Sequence, residues 1–266
     1  MTAIAVPAAA LVMICSCTPA TLPDDKLQLG RLQNCPSMDD ASLKASLGSV
    51  DHTTSVEDLT CLLKNCRSNG NEVDVARLAA MISFMLAEVE QDAARRRKLA
   101  AEGVRWAERA LLLGGHHLAD VHYYLALNLG IAVRDDMDLA LKNLKRLERA
   151  FKTARELDSD IDCSGPVRLL GMLYLRAPPW PKGIGDGDKA QEMLEEAVKR
   201  HPEHPLNHIL LAKVLWELDE DDAREEITEH LRRAVELLAN PRWKRTRTVW
   251  MRELERVARD AGVKVP

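Results

Sequence analysis

The chain has 266 residues, 46% of them hydrophobic and 29% charged, with a formal net charge of −4. These proportions belong to a folded chain and exclude a disordered one; without a global positive field, they also argue against a nucleic-acid partner. Aromatics make up only 4%, with two Phe, while Ala, Leu, Glu, Arg and Lys, all helix-favouring, dominate the middle and end.

The first element is the apolar run from Ala3 to Cys17. It is too short to span a bilayer, which takes about 20 apolar residues, and has the length of a signal-peptide core. Ile14-Cys15-Ser16-Cys17 resembles the lipobox of bacterial lipoproteins, although no Lys or Arg precedes the run. The resemblance implies that residues 1–16 are a signal peptide and that Cys17 is lipidated. The mature protein would then be tethered to a membrane on its periplasmic side, the outer membrane being the expected one and the inner membrane the alternative. Pro19, Pro23, Gly30 and Pro36 mark residues 17–38 as the tether.

Four further cysteines follow: Cys35, Cys61, Cys66 and Cys163. Export would place them in an oxidising compartment, and sequence does not choose among their pairings. Cys61 and Cys66 point in different directions from one predicted helix. A bridge from Cys35 to either one would pin the N-terminal segment to that helix.

Residues 39–69 read as short helices, the second near Ser55–Cys66, ending at Ser68-Asn69-Gly70. From Glu72 onward apolar residues recur every three or four positions, the period of a helix. Breaks fall near Gly114-Gly115, Asp158–Gly165, Pro178–Gly187, Pro202–Pro205, Leu218–Asp222 and Asn240-Pro241. Val167, Leu170, Gly171 and Tyr174, then Ala190, Leu194, Ala197 and Pro202, match the tetratricopeptide repeat (TPR) pattern, in which small residues let two helices approach and large ones fill the gap. Weaker matches begin at Val75, Tyr123 and His208. The predicted fold is therefore all-α: a TPR-like array of helical hairpins (an α-solenoid) over residues 39–266. Residues 39–66 and roughly Lys244–Ala261 would be its capping helices.

The segment Leu175–Asp186 lengthens the third hairpin. Pro178, Pro179 and Pro181 stiffen it, and Asp186 or Asp188 can cap the next helix. Trp180 on this loop either plugs the gap left by the widened hairpin or lines a groove; packing is the expectation, because large aromatics mostly pack.

Gly165–Gly171, Tyr174, Ala177-Pro-Pro-Trp-Pro181, Gly185-Asp186, Pro202, Pro205-Leu-Asn207 and the upstream Val121–Gly130 together resemble the TatT-like lipoproteins. These are TPR-like periplasmic lipoproteins associated with tripartite ATP-independent periplasmic (TRAP) transporters. The resemblance covers roughly Glu72–Leu238. It implies a helical repeat fold, an envelope location, and binding to a solute-binding protein, with a pore for a hydrophobic ligand. Repeat geometry nominates Tyr123, Tyr124, Asn128, Arg168, Tyr174, Trp180 and Asn207 as ligand- or partner-lining residues.

Catalytic and metal readings find little support. Asp158, Asp160 and Asp162 alternate as in a calcium loop, but Cys163 and Leu169 stand where an EF-hand needs Gly and Glu, so the run reads as a solvated turn. His201, His204 and His208 are separated by Pro202 and Pro205, which break any shared helical face. No metalloprotease, nucleophile-elbow or P-loop motif is present in the sequence. The expectation is a non-enzymatic protein without metal or cofactor, compatible with a homo-oligomer, that serves solute transport. The alternative is a general envelope scaffold with no transport role.

Overall fold

The structure is a computed structural model that describes residues 35–218 and 223–265. Cys17, the expected signal peptide and most of the expected tether lie outside the described residues. All regular structure within them is helical: α1 Asp40–Ser46, α2 Val56–Asn69, α3 Val73–Val89, α4 Ala93–Leu112, α5 Ala119–Val133, α6 Met137–Leu157, α7 Gly165–Arg176, α8 Gly187–Arg200, α9 Pro205–Glu217, α10 Arg224–Leu238 and α11 Arg247–Asp260. Short 3-10 turns at Gly115–His117 and Pro241–Trp243 precede α5 and α11.

Local chemistry sets the helix starts. The side chains of Asp39, Ser55, Asp92, Asp136 and Asp186 each accept the backbone N–H three residues ahead. Each cap satisfies one of the donors a helix N-terminus leaves open. Pro166 and Pro205 sit in the first turn of α7 and α9, where a missing N–H is tolerated.

Each helix from α3 to α10 packs chiefly on its chain neighbours; α3 also touches α5, and α7 touches α9. The predicted small and large positions form these contacts. Val167, Leu170, Tyr174, Ala190, Leu194 and Ala197 are all buried. A Cβ on Gly171 would overlap Leu194 Cδ2 and stand 3.1 Å from Ala190 O, so the missing side chain is what lets α7 and α8 approach.

Both ends of the described stretch are tied into the body. Cys35 and Cys61 form a disulfide, while Cys66 stays a thiol, buried in α2, its pKa pushed up to about 12 by that burial. Asn65 receives Met38 N–H at 2.9 Å and donates to Pro36 O at 3.0 Å, fixing the same segment on α2. The C-terminal segment packs on α9 and α10 and also reaches α3. Arg245 donates to Met85 O at 3.1 Å, Trp250 Nε1 to Glu88 at 3.1 Å, and Arg252 to Gln91 at 2.6 Å. The predicted terminal cap is thus also a closing segment that meets a helix some 160 residues earlier. No helix of the described residues is long and apolar enough to cross a membrane.

Candidate ligand-binding site

Among the described residues, the loop between α6 and α7 holds all the non-glycine residues with positive φ. Asp162, Cys163 and Ser164 have φ of 50°, 52° and 66°, three successive non-glycine residues in the left-handed region. Each such residue costs on the order of 1 kcal/mol or more and persists only where its surroundings over-determine it. Arg168 supplies that determination from the first turns of α7. Its Nη2 donates to Asp162 Oδ2 at 2.6 Å, and its Nη1 donates to the carbonyls of Asp162 and Cys163 at 3.3 and 3.2 Å and to Asn207 Oδ1 at 2.6 Å. Tyr123, from α5, donates its hydroxyl to Asp162 Oδ2 at 2.7 Å.

The other oxygen of Asp162 faces two imidazoles. His52, from the segment between α1 and α2, lies 3.3 Å away, and His204, at the N-cap of α9, lies 3.8 Å away. His204 is packed against Trp243 and Trp250 at ring-centre distances of 4.8 and 5.5 Å, and neither of its nitrogens has a hydrogen-bond partner among the described residues. Burial and then the nearby Arg168 charge push its pKa well below the ordinary histidine value, so the ring is neutral. Burial alone would raise the Asp162 carboxyl; the Arg168 charge and the His52 hydrogen bond reverse this and hold it far below the usual range. The sequence expectation of a solvated turn therefore fails at Asp162, although Asp158 and Asp160 are exposed. The ligand atoms of His52, Asp162 and His204 all lie within 4.8 Å of one another. Arg168 already neutralises the carboxylate, however, and its own charge repels a cation, so the trio fits an ion-pair network better than a metal centre.

This network forms one wall of a partly enclosed cavity of about 190 Å³. Phe84, Met85 and Glu88 of α3, Tyr123, Tyr124 and Leu127 of α5, and Arg168 and Leu169 of α7 contribute to it; Leu206 of α9 and Arg245 and Trp250 from the C-terminal segment close it. The wall is mostly apolar. Glu88 accepts from Trp250 and lies 3.9 Å from Arg245, too far for a hydrogen bond. Burial raises the Glu88 carboxyl pKa against the pull of Arg245, and burial lowers that of Arg245. A wider groove of about 520 Å³ lined by Leu112, His122 and Arg146 is more open, and its charged groups stand at the surface.

Of the seven lining residues nominated from sequence, the cavity brings together Tyr123, Tyr124 and Arg168. Asn128 is instead buried between helices, donating to Ala80 O and Tyr124 O at 2.9 and 2.8 Å. Asn207 ties the α8–α9 turn by donating to Ala197 O and His201 O, both at 3.0 Å. Tyr174 is buried, with its hydroxyl on Glu148 and Lys189 over its ring. Trp180 does not plug the hairpin: it is 84% exposed, on a loop tied by Gly185 N–H to Pro178 O and Asp186 N–H to Tyr174 O. The stiff loop lifts the ring off the body rather than folding it in. His201, His204 and His208 do not converge. His201 faces Asp160 and Glu203 at the surface, and His208 faces His230 and Pro202 O.

Sequence reasoning missed His52, Glu88, Arg245 and Trp250, and read Asp162 as part of a solvated turn. Glu88 carried a signal, being the one charge in the run Ala79–Val89. No protein-family model matches the chain, and no curated protein is significantly similar to it.

Proposed function

We propose that this chain is a non-enzymatic envelope binding protein that holds a small, largely apolar molecule at the centre of a TPR-like hairpin array. In this reading the hairpins form an α-solenoid tethered through lipidated Cys17, and the protein is an accessory of TRAP-type solute transport that docks on a solute-binding protein. The carrying observation is the cavity itself, apolar-walled and assembled from α3, α5, α7, α9 and the C-terminal segment. Ligand sites have this character: a concave apolar wall with a few convergent polar groups. The Cys35–Cys61 bridge supports an exported location, since such bonds persist in oxidising compartments. Trp180, rigidly presented and exposed, supports a protein-docking role, because Trp is enriched among interface anchors. Trp180 alone would also suit a general envelope scaffold that binds no small molecule, and this is the second reading.

The test is purification of the mature protein from its own cells under gentle conditions, with mass spectrometry of extracted small molecules and of cross-linked proteins. A stoichiometric small molecule together with a solute-binding protein is the expected result. Partner proteins without any small molecule would favour the scaffold, and the absence of both would overturn the transport reading.

A further inference from the structure

A second group of chemistry-bearing side chains lies outside the cavity, where two inter-helix joints meet. Cys163 is a half-buried free thiol, and the ligand atoms of Cys163, His201 and Glu203 all lie within 4.8 Å of one another. Cys163 comes from the loop before α7, while His201 and Glu203 belong to the turn between α8 and α9. Arg200, the last residue of α8, holds the two joints in register by donating to Ser159 Oγ at 2.8 Å and to Asp160 Oδ1 at 2.7 Å.

His201 decides the chemistry. Its Nε2 lies 3.0 Å from Asp160 Oδ1, and its Nδ1 lies 3.4 Å from Glu203 Oε1. A carboxylate only accepts, so the shorter contact places the ring proton on Nε2. The Nδ1 lone pair then meets a second acceptor, a contact that only a cation between the two atoms makes favourable. That cation is either a second ring proton or a metal ion, and the distances suit a metal. Bonds of about 2.0–2.1 Å to nitrogen and oxygen at a tetrahedral angle set the two donors about 3.3 Å apart, close to the 3.4 Å found. With a bond of about 2.3 Å, sulfur belongs about 3.6 Å from the nitrogen, so Cys163 Sγ has at most about 1.2 Å to close. Asp160 supplies the carboxylate on which metal-binding histidines commonly orient their other ring N–H. The field differs from that at His52, Asp162 and His204, where Arg168 dominates. At Cys163, burial and then the Asp162 and Glu203 charges raise the thiol pKa against the weaker pull of Arg168 and Arg242, so the surroundings favour a positive ion.

We propose that Cys163, His201 and Glu203 bind a zinc-type divalent metal ion through Sγ, Nδ1 and a carboxylate oxygen, with water in the fourth position and Asp160 as the positioning residue. Thiolate, imidazole and carboxylate are zinc ligands, and three of them with water make an open tetrahedral site. On binding, the ion gives up water and the thiol gives its proton to solvent. The ion clasps the α6–α7 loop to the α8–α9 turn. This site is separate from the cavity and stands whether or not the cavity holds a ligand.

The test is titration of the chelator-treated mature protein, its Cys35–Cys61 bond intact, with cobalt(II) and then zinc(II). One cobalt ion is expected to bind with a Kd on the order of micromolar or tighter, giving a thiolate-to-cobalt charge-transfer band in the near ultraviolet that zinc abolishes. Cys163→Ser should remove the band, and Cys66→Ser should leave it. Asp160→Asn should keep the band while weakening affinity by about tenfold to a hundredfold, the effect of losing an orienting partner. Should Cys163→Ser fail to fold, His201→Gln, at the surface turn, gives the same reading by losing tight cobalt binding. No charge-transfer band in the unchanged protein, a band that survives Cys163→Ser or is lost in Cys66→Ser, or affinity unmoved by His201→Gln would overturn the site. Affinity unmoved by Asp160→Asn would overturn the role given to Asp160.

Discussion

Adding one methyl group to each of two glycines should move stability in opposite directions. Gly130 lies inside α5 and Gly171 inside α7. Either change to Ala removes the helix penalty of glycine, a gain of about 1 kcal/mol. At Gly130 the new Cβ meets only Leu147 Cδ2 at 4.0 Å, an ordinary contact. At Gly171 it overlaps Leu194 Cδ2 and stands 3.1 Å from both Ala190 O and Met193 Cβ. Leu194 is fully buried, so it cannot swing clear without displacing neighbours, and overpacking of this kind costs about 1–3 kcal/mol. Gly130→Ala should therefore raise the thermal midpoint by roughly 2–4 °C, and Gly171→Ala, at a net cost of up to about 2 kcal/mol, should lower it by up to about twice as much. Thermal unfolding followed by circular dichroism reads both. A double-mutant cycle with Leu194→Ala isolates the cause, since removing Cδ2 should relieve the clash and give a coupling of about 1 kcal/mol or more. A Gly171→Ala protein as stabilised as Gly130→Ala would refute close helix approach at this point.

Trp180→Ala should leave stability within about 0.5 kcal/mol, since the ring is 84% exposed, while weakening capture of the partner protein in a cross-linking assay; a large drop in unfolding midpoint would contradict this. Asn207→Ala removes the acceptor for Arg168 and the donor for two turn carbonyls, and should cost about 3 kcal/mol in urea unfolding. Acidification should destabilise the protein from about pH 6.5 downward. The folded-state pKa of His204 is depressed, so the unfolded chain binds a proton there that the folded chain refuses, and stability present above the unfolded value is lost as pH falls, by about 1.4 kcal/mol per pH unit. His208 and His230 add smaller slopes of the same sign, and Glu88, with its raised pKa, opposes them. A His204→Phe variant with an undiminished slope in urea titrations between pH 7 and 5 would count against the assignment.

The helical period and the Gly and Pro punctuation made most helix boundaries readable. Two joints were not marked, Glu90–Asp92 between α3 and α4 and Arg134–Asp136 between α5 and α6. Neither contains Gly or Pro, and the usable signal was a single aspartate at each N-cap, Asp92 and Asp136. The site was less legible. Repeat positions say which side chains face between helices, but not whether they fill that space or border an opening. Tyr174 and Asn207 fill it, whereas Tyr124 borders it. Arg245 and Trp250 were out of reach for a different reason. A helix that packs on its predecessors gives no sequence sign that its first turns also meet α3, and that long-range contact is what closes the cavity.

That closure changes what the buried charges are for. In a stack of hairpins each unit touches only its neighbours, so the two ends are energetically independent. Here Arg245, Trp250 and Arg252 bond to Met85, Glu88 and Gln91, and His52 packs on Trp243 and Trp250 at 4.7 and 5.8 Å, so residues from both ends share one seam. A hydrocarbon seam would close more tightly than one holding Glu88 and Arg245 at 3.9 Å, since replacing buried ion pairs by apolar groups is often neutral or stabilising. The polar groups therefore weaken closure when the cavity is empty. A molecule filling the cavity would touch α3, α5 and the C-terminal segment together and add its binding free energy to the contact between the ends. Occupancy and closure are then two descriptions of one equilibrium.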